Sequence, residues 1–107
     1  MTDLFEKAER ANEFIRDKAK PYGEMVATRE DLDEALKVTE ARLMNECPDK
    51  AEHQKKAYAR SHADYKTILD GRKAAREEEI KLRYHLQAAQ NQFEMWRSWN
   101  SANKRGA

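Results

Sequence analysis

A long stretch without proline constrains this chain more than any other feature. Between Asp49 and Asn100 there is no proline, and the single glycine is Gly71. Beyond Ser61 the apolar residues recur every seven positions, which is the repeat of a helix that packs along a seam. One set of seam positions holds Ile68, Ala75, Leu82, Ala89 and Trp96, and its companion set holds Tyr65, Arg72, Glu79, Leu86, Phe93 and Asn100. The pattern predicts helices over 49–60 and 62–100, and it leaves open whether the chain breaks near Ser61 or bends at Gly71.

Two shorter helices are expected before this stretch. Apolar residues with helical spacing begin at residue 4 and stop before Pro21, which removes a backbone donor and interrupts the pattern. A second apolar stripe covers 32–44, and Pro48 ends it because the residue before a proline avoids helical geometry. The predicted boundaries are helices over 3–20 and 28–46 and a disordered tail over 101–107.

The composition agrees with long helices. More than half of the 107 residues are Ala, Glu, Lys, Leu or Arg, and there are only three Gly and two Pro. A helix over 62–100 would be about 60 Å long, whereas a compact domain of this size has a radius of gyration of about 13 Å. We therefore expect one all-α domain over 1–107, elongated and homo-oligomeric, in which two shorter helices pack against a long coiled-coil-like C-terminal helix.

Charge is divided unevenly along the chain. Residues 1–46 carry 8 basic and 12 acidic side chains, a net charge of −4, and residues 47–107 carry 13 basic and 8 acidic ones, a net charge of +5. The simpler interpretation is that the acidic half pairs with the basic half, within one chain or across a dimer. The alternative is a basic surface for a polyanion, which a total charge of +1 makes less favourable.

Motifs of enzymes are missing from the sequence. The one thiol, Cys47, precedes a proline, and His53, His62 and His85 are too far apart for a metal site on adjacent turns. No phosphate-binding glycine loop is present. We expect no catalytic site, no metal and no cofactor. A single cysteine fits a reducing cytoplasm, and no apolar run is long enough for a membrane span or a signal peptide.

A line of basic residues lies beside the seam. One heptad position holds five basic or histidine residues: Lys55, His62, Arg76, Arg83 and Arg97. On a continuous helix, residues seven positions apart are separated by about 10 Å, and residues fourteen apart by about twice that distance. Such a line fits a phosphate backbone, and Lys55, Arg76, Arg83 and Arg97 are the candidate nucleic-acid contacts. Heptad flanks also carry Lys and Arg that pair with Glu across an interface. Pairing with the acidic half is the favoured interpretation.

Aromatic residues are concentrated near the C-terminus. Both tryptophans, Trp96 and Trp99, lie there, and Phe93 precedes Trp96 by one turn. Because Trp and Arg dominate protein interfaces, we rank a subunit or partner contact first, a bundle core second and base stacking third. The candidate interface residues are Leu82, Leu86, Ala89, Phe93, Trp96 and Trp99.

The second half of the chain also resembles a known group of proteins. The segments ARSHADY at 59–65, LRYHLQAA at 82–89 and MWRS at 95–98 resemble small helical proteins that tailed phages and prophages encode near recombination genes, over roughly residues 48–103. The resemblance implies phage origin and an accessory role in recombination. Together with the missing enzyme motifs, it leads us to expect a non-enzymatic protein of the host cytoplasm that contacts a phage or host recombination or replication protein. The alternatives are a direct single-stranded nucleic-acid-binding protein and a structural or assembly protein of the virion.

Overall fold

Helices account for nearly all of the structure, a computed structural model that describes residues 2–106 and the side chains of residues 3–104. The helices are α1, Thr2–Glu46, α2, Glu52–Ser61, and α3, Ala63–Gly106. No strand occurs in the described part of the chain. The predicted all-α class is confirmed.

Helix α1 is continuous where the sequence predicts two helices, over 3–20 and 28–46. Pro21 lies inside the helix, and Thr28, the expected start of a second helix, is an interior residue. A proline inside a helix costs about 3 kcal/mol, because one hydrogen bond is lost and the ring crowds the preceding turn. The carbonyl that loses its partner belongs to Asp17, which is exposed, so water can replace the bond. Half-buried apolar residues on both sides of Pro21 offset the cost by packing.

The predicted break after α1 is found. The chain leaves the helix at Cys47, whose N–H donates to the carbonyl of Met44 at 3.3 Å. The sequence predicts that a helix begins at Asp49, but α2 begins at Glu52, and its N-cap, Ala51, provides no side-chain cap. The Ala51 carbonyl accepts hydrogen bonds from the N–H groups of Gln54 and Lys55, each at 3.1 Å.

The second break occurs at His62, so the choice between Ser61 and Gly71 is resolved. His62 has extended backbone geometry with φ −72° and ψ 143°. Its Nδ1 accepts a hydrogen bond from the N–H of Asp64 at 3.0 Å, as an N-cap side chain does. Ser61 does not cap α3, because its hydroxyl donates back to the carbonyl of Ala57 at 2.8 Å. Gly71 lies inside α3.

Helix α3 extends beyond the predicted end at residue 100. Its residues as far as Gly106 are helical, including most of the tail expected to be disordered, and Ala107 lies outside the described residues. No proline follows residue 100 to stop the helix. Every one of the eleven seam positions between Tyr65 and Asn100 is half-buried or buried. The seven-residue pattern therefore identifies the inward face of α3.

Residue contacts divide the chain into two units, where the sequence predicts one domain. Unit 1 comprises Met1–Glu24 and Glu79–Ala107, and unit 2 comprises Met25–Glu78. Unit 1 is a pair of helical segments from α1 and α3, in which Phe5 contacts Trp96 with ring centroids 5.6 Å apart. Unit 2 combines segments of α1 and α3 with all of α2.

Among the residues whose side chains are described, those with no exposed surface are in unit 2. They are Leu43 of α1 and Ala59 of α2. Thr39 of α1 and Cys47, which follows α1, are also buried. In unit 1 the buried apolar residues are Ala8 and Ala11, which are small. No helix in the described range is long and apolar enough to cross a membrane.

Candidate functional site

The predicted interface residues share one environment. All six are on α3 in unit 1, and all are half-buried. They are Leu82, Leu86, Ala89, Phe93, Trp96 and Trp99. Trp96 contacts Phe5 of the same chain and also Phe93, whose ring centroid is 6.0 Å away. Part of the surface expected to meet a partner is thus covered by α1.

Two helices are not enough to cover the apolar residues of unit 1. The residues of α1 that are buried here are two alanines. Because alanine side chains are small, they cover only part of the larger apolar residues of α3. Phe5 keeps 45% of its surface exposed, Tyr84 68% and Met95 58%. Tyr84 lies two positions from Leu82, on the opposite side of α3, so these three side chains do not form one patch. The apolar surface suited to contact with another molecule is the half-buried set from Leu82 to Trp99, together with Phe5.

An open groove lies between the two helices of unit 1. Its volume is about 380 Å³. The residues that line it are Lys7, Arg10, Ala11 and Phe14 on α1 and His85, Ala88, Ala89 and Gln92 on α3. Three of the lining residues are alanines, which are too small to fill the space between the helices; Ala11 is buried, Ala89 is half-buried and Ala88 is exposed. Only Ala89 among these residues belongs to the set predicted from the sequence.

Two of the residues that line the groove, Lys7 and Arg10, are basic. Lys7 pairs with Asp3 at 3.2 Å, an exposed contact one helical turn away. Arg10 forms no ion pair with the side chains that the structure describes. Beyond Phe14, the ammonium of Lys18 lies 5.9 Å from the centre of the Phe14 ring. None of the described lining residues is acidic.

Lys55 falls outside the predicted line of nucleic-acid contacts, whereas Arg76, Arg83 and Arg97 lie on the continuous helix α3. Lys55 lies on α2 and not on α3, because the chain breaks at His62. Lys55 and Arg76 belong to unit 2, whereas Arg83 and Arg97 belong to unit 1. Arg97 is engaged with Glu94 at 3.4 Å. The uniform spacing that the sequence predicts for all four residues requires one continuous helix, so it is wrong for Lys55.

Ion pairs in unit 2 join the acidic and basic halves of the chain. Asp33 accepts hydrogen bonds from Arg29 at 3.1 Å and from Arg72. These contacts hold the pKa of Asp33 below its ordinary value of 3.8; the hydrogen bond from Arg29 has the largest effect, and partial desolvation opposes it. Arg60 of α2 pairs with Glu40 at 3.4 Å. The favoured pairing between the two halves is therefore found at these positions.

One ion pair in unit 2 joins a cation of the acidic half to a carboxylate of the basic half. Arg42, from the acidic half, donates to Asp64 at 3.0 Å and to Glu46 at 2.9 Å. Both carboxylates raise the pKa of Arg42, the hydrogen bond to Asp64 most. The favoured interpretation also predicts partners for Arg76 and Arg83. Both are exposed, and neither forms an ion pair within the part of the chain whose side chains are described.

The described side chains do not assemble a metal site. No group of three or more His, Cys, Asp or Glu residues is close enough to hold an ion in this part of the molecule. Cys47 is a buried free thiol, with its Sγ 3.9 Å from an oxygen of Asp49. His62 is used as a helix cap.

Sequence reasoning missed the α1 side of the groove. Lys7, Arg10, Phe14 and Lys18 follow one another at spacings of three and four residues, directly beside the stripe of buried alanines. That spacing is a signal of a second helical face, and it is visible in the sequence. What the sequence does not contain is the alignment of α1 with α3, which brings this face next to Ala88 and Ala89.

No protein-family model, curated protein or solved structure matches this chain.

Proposed function

We propose that this protein is a non-enzymatic accessory protein of a phage or prophage. It acts in the cytoplasm of the bacterial host, through protein–protein contacts in DNA recombination or replication. The resemblance of residues 48–103 supports the biological setting. The mode of action is supported by the surface of unit 1, where large apolar side chains of a two-helix pair remain partly exposed.

The half-exposed aromatic residues of unit 1 are the observation on which this proposal rests. Phe5, Phe93, Trp96 and Trp99 belong to residue types that supply much of the binding energy at protein interfaces. In unit 2 the largest fully buried side chain, Leu43, is packed inside the fold. Among the described apolar residues of unit 1, none larger than alanine is buried. Contact with a further protein surface would remove this apolar area from water.

Self-association is the first part of the proposal. A second copy of the chain would cover the seam around Leu86, and light scattering at tens of micromolar should then report a mass above the 12.6 kDa of one chain. Leu86→Asp should dissociate the assembly, because it places an unpaired charge in the contact. Gln87→Asp is the matched control, since Gln87 is exposed beside it. Far-UV circular dichroism separates dissociation from unfolding, and a monomeric unmodified protein would remove this part.

Contact with a partner is the second part. Affinity purification of the tagged protein from infected cells, after nuclease treatment, should retain a phage or host recombination or replication protein. Loss of every such protein on nuclease treatment would show that DNA bridged the contact. Recovery of the chain mainly in purified virions would favour the structural or assembly alternative.

Direct binding to single-stranded nucleic acid is the second candidate function. It is favoured by Arg76 and Arg83, which are exposed and have no ion-pair partner among the described side chains. If they contact phosphates, the logarithm of affinity should fall with the logarithm of salt concentration, by about 0.7 per phosphate contacted. Arg76→Glu with Arg83→Glu should flatten that slope by about 1.4. An unchanged slope in the double variant, or no binding at low salt, would exclude this role for the two arginines.

A further inference from the structure

The groove of unit 1 has a shape that limits what it can bind. Its volume of about 380 Å³ falls within the range of small-molecule pockets. Such pockets bury most of their ligand, however, and this groove is open to solvent between two helices. An elongated ligand that lies along the groove can bury its surface against both helices, whereas most of the surface of a compact ligand would remain exposed to water.

A third helix fits this geometry. Helices pack by inserting side chains into the depressions between the side chains of their neighbours. The small lining residues Ala11, Ala88 and Ala89 leave room for such a side chain, and Phe14 adds apolar surface to the lining. From Lys7 to Lys18 the α1 edge extends over about 16 Å, which is three turns of a helix. An incoming helix would place one bulky aliphatic side chain over the alanines.

Charge decides which helix fits. Lys7 and Arg10 line the groove, Lys18 lies beside the lining residue Phe14, and no described lining residue is acidic. The pair of Lys7 with Asp3 is exposed, so a carboxylate in the groove can compete for the ammonium. A second copy that docked symmetrically would bring Lys7 and Arg10 of both chains together, which like-charge repulsion opposes. A helix with acidic residues beside its apolar stripe would pair with these cations.

We propose that the groove of unit 1 binds an acidic amphipathic α-helix of another protein, which completes a three-helix arrangement with α1 and α3. The inference rests on the proposed function, because it names the kind of partner that the protein contacts. Glu6, Glu9 and Glu13 are exposed along the same stretch of α1 and repel negative charge, so the acidic residues of the bound helix must lie only at the positions that face Lys7 and Arg10. A nucleic acid carries a phosphate at every nucleotide and does not meet this condition.

The test uses a designed peptide as the probe. The peptide has about 18 residues, enough for five turns, with Leu at helical spacing and Glu at the flanking positions. A twin carries Lys in place of every Glu, and a third peptide has the same composition in a scrambled order. Fluorescence anisotropy of the labelled peptides with the full-length chain should show binding of the Glu peptide and neither of the other two.

Two variants with matched controls locate the contact. Lys7→Glu with Arg10→Glu should weaken binding of the Glu peptide about tenfold or more, because like charges then face each other. The control is Arg16→Glu with Lys20→Glu, which makes the same change of charge on exposed residues of α1 outside the groove lining. It should change the affinity by about twofold or less, as expected for remote surface changes.

The alanine lining of the groove is tested separately. Ala88→Gln puts a longer, uncharged side chain into the groove and should also weaken binding of the Glu peptide. Ala74→Gln is its control, since Ala74 is an exposed alanine of α3 in unit 2. Both alanines are exposed, so both variants should retain the circular dichroism of the unmodified chain.

The outcomes separate this inference from the proposed function. Equal binding of the Glu and Lys peptides, or equal effects of groove and control variants, would overturn the inference. Self-association that Ala88→Gln abolishes would mean that a second copy occupies the groove, which also overturns it. If no peptide binds but the chain self-associates or retains a nuclease-resistant partner, only the groove inference fails. If no peptide binds, the chain is a monomer and no protein partner survives nuclease treatment, both fail.

Discussion

Replacement of Leu43 by alanine is the most direct test of the packing in unit 2. Leu43 has no exposed surface and is the largest side chain that the described fold buries completely. Leu43→Ala removes three carbon groups, worth about 2.4 kcal/mol at about 0.8 kcal/mol each. The cavity that remains adds to this loss, and comparable substitutions cost about 2–5 kcal/mol in total.

This loss is large compared with the whole stability of the chain. A protein of this length has a free energy of unfolding of about 5–15 kcal/mol. With five buried apolar residues in the described part of the chain, four of them no larger than cysteine, we expect a value near the lower end. Leu43→Ala should therefore remove about a third or more of the total.

Urea unfolding followed by far-UV circular dichroism measures the effect. With a slope of about 1–3 kcal/mol per molar, a loss of about 3 kcal/mol lowers the midpoint by about 1–3 M urea. The control is Val38→Ala on the same helix, where 60% of the side chain is already exposed. It should change the stability by about 0.5 kcal/mol or less. Equal shifts for the two variants would refute the packing described for Leu43.

Three further changes test local features of the helices. Gly71→Ala should raise the free energy of unfolding by about 0.5–1 kcal/mol, because an added Cβ meets no atom within 4 Å; a lower urea midpoint would contradict this. Asp33→Asn should make the free energy of unfolding less dependent on pH. Because the pKa of Asp33 in the folded state is below its ordinary value of 3.8, the ionised carboxylate stabilises the folded state above pH 3.8. This stabilisation is lost as the pH falls through the lower, folded-state pKa. Unfolding measured from pH 6 to about pH 2 should show this, with Asp31→Asn, an exposed control, retaining the dependence. His62→Ala should lower the urea midpoint by an amount equivalent to about 0.5–2 kcal/mol, because it removes the side chain that caps the N–H of Asp64. His62→Ser should retain most of the stability, and equal losses in both variants would argue against capping.

The inward face of α3 was predictable because it is encoded locally. Each seam residue is seven positions from the next, so the periodicity alone identifies residues such as Leu82 and Trp96 as inward-facing. The break at His62 was partly predictable for the same reason, since an interruption near Ser61 was one of the alternatives that the local pattern left open. The side chain that caps α3 is that of His62, whereas the hydroxyl of Ser61 donates back to the carbonyl of Ala57 in α2.

The continuity of α1 was not predictable from local rules. Proline usually ends a helix, and Pro21 with Gly23 two residues later is a strong local signal for an interruption. The local preference is outweighed by packing, which depends on residues distant in sequence. The same applies to the ion pair of Asp33 with Arg72, which are 39 positions apart. The groove is missed for this reason too, because it exists only once α1 and α3 are aligned.

The chain carries a natural reporter in each of its two units. Its only thiol, Cys47, is buried in unit 2, and both of its tryptophans are in unit 1. A thiol reagent can modify a buried cysteine only when the surrounding structure opens, so the rate of modification in native buffer measures the opening free energy of that region. Indole emission follows the surroundings of Trp96 and Trp99. Local openings of the two units can therefore be followed separately in the unmodified protein, without denaturant and without introducing a probe.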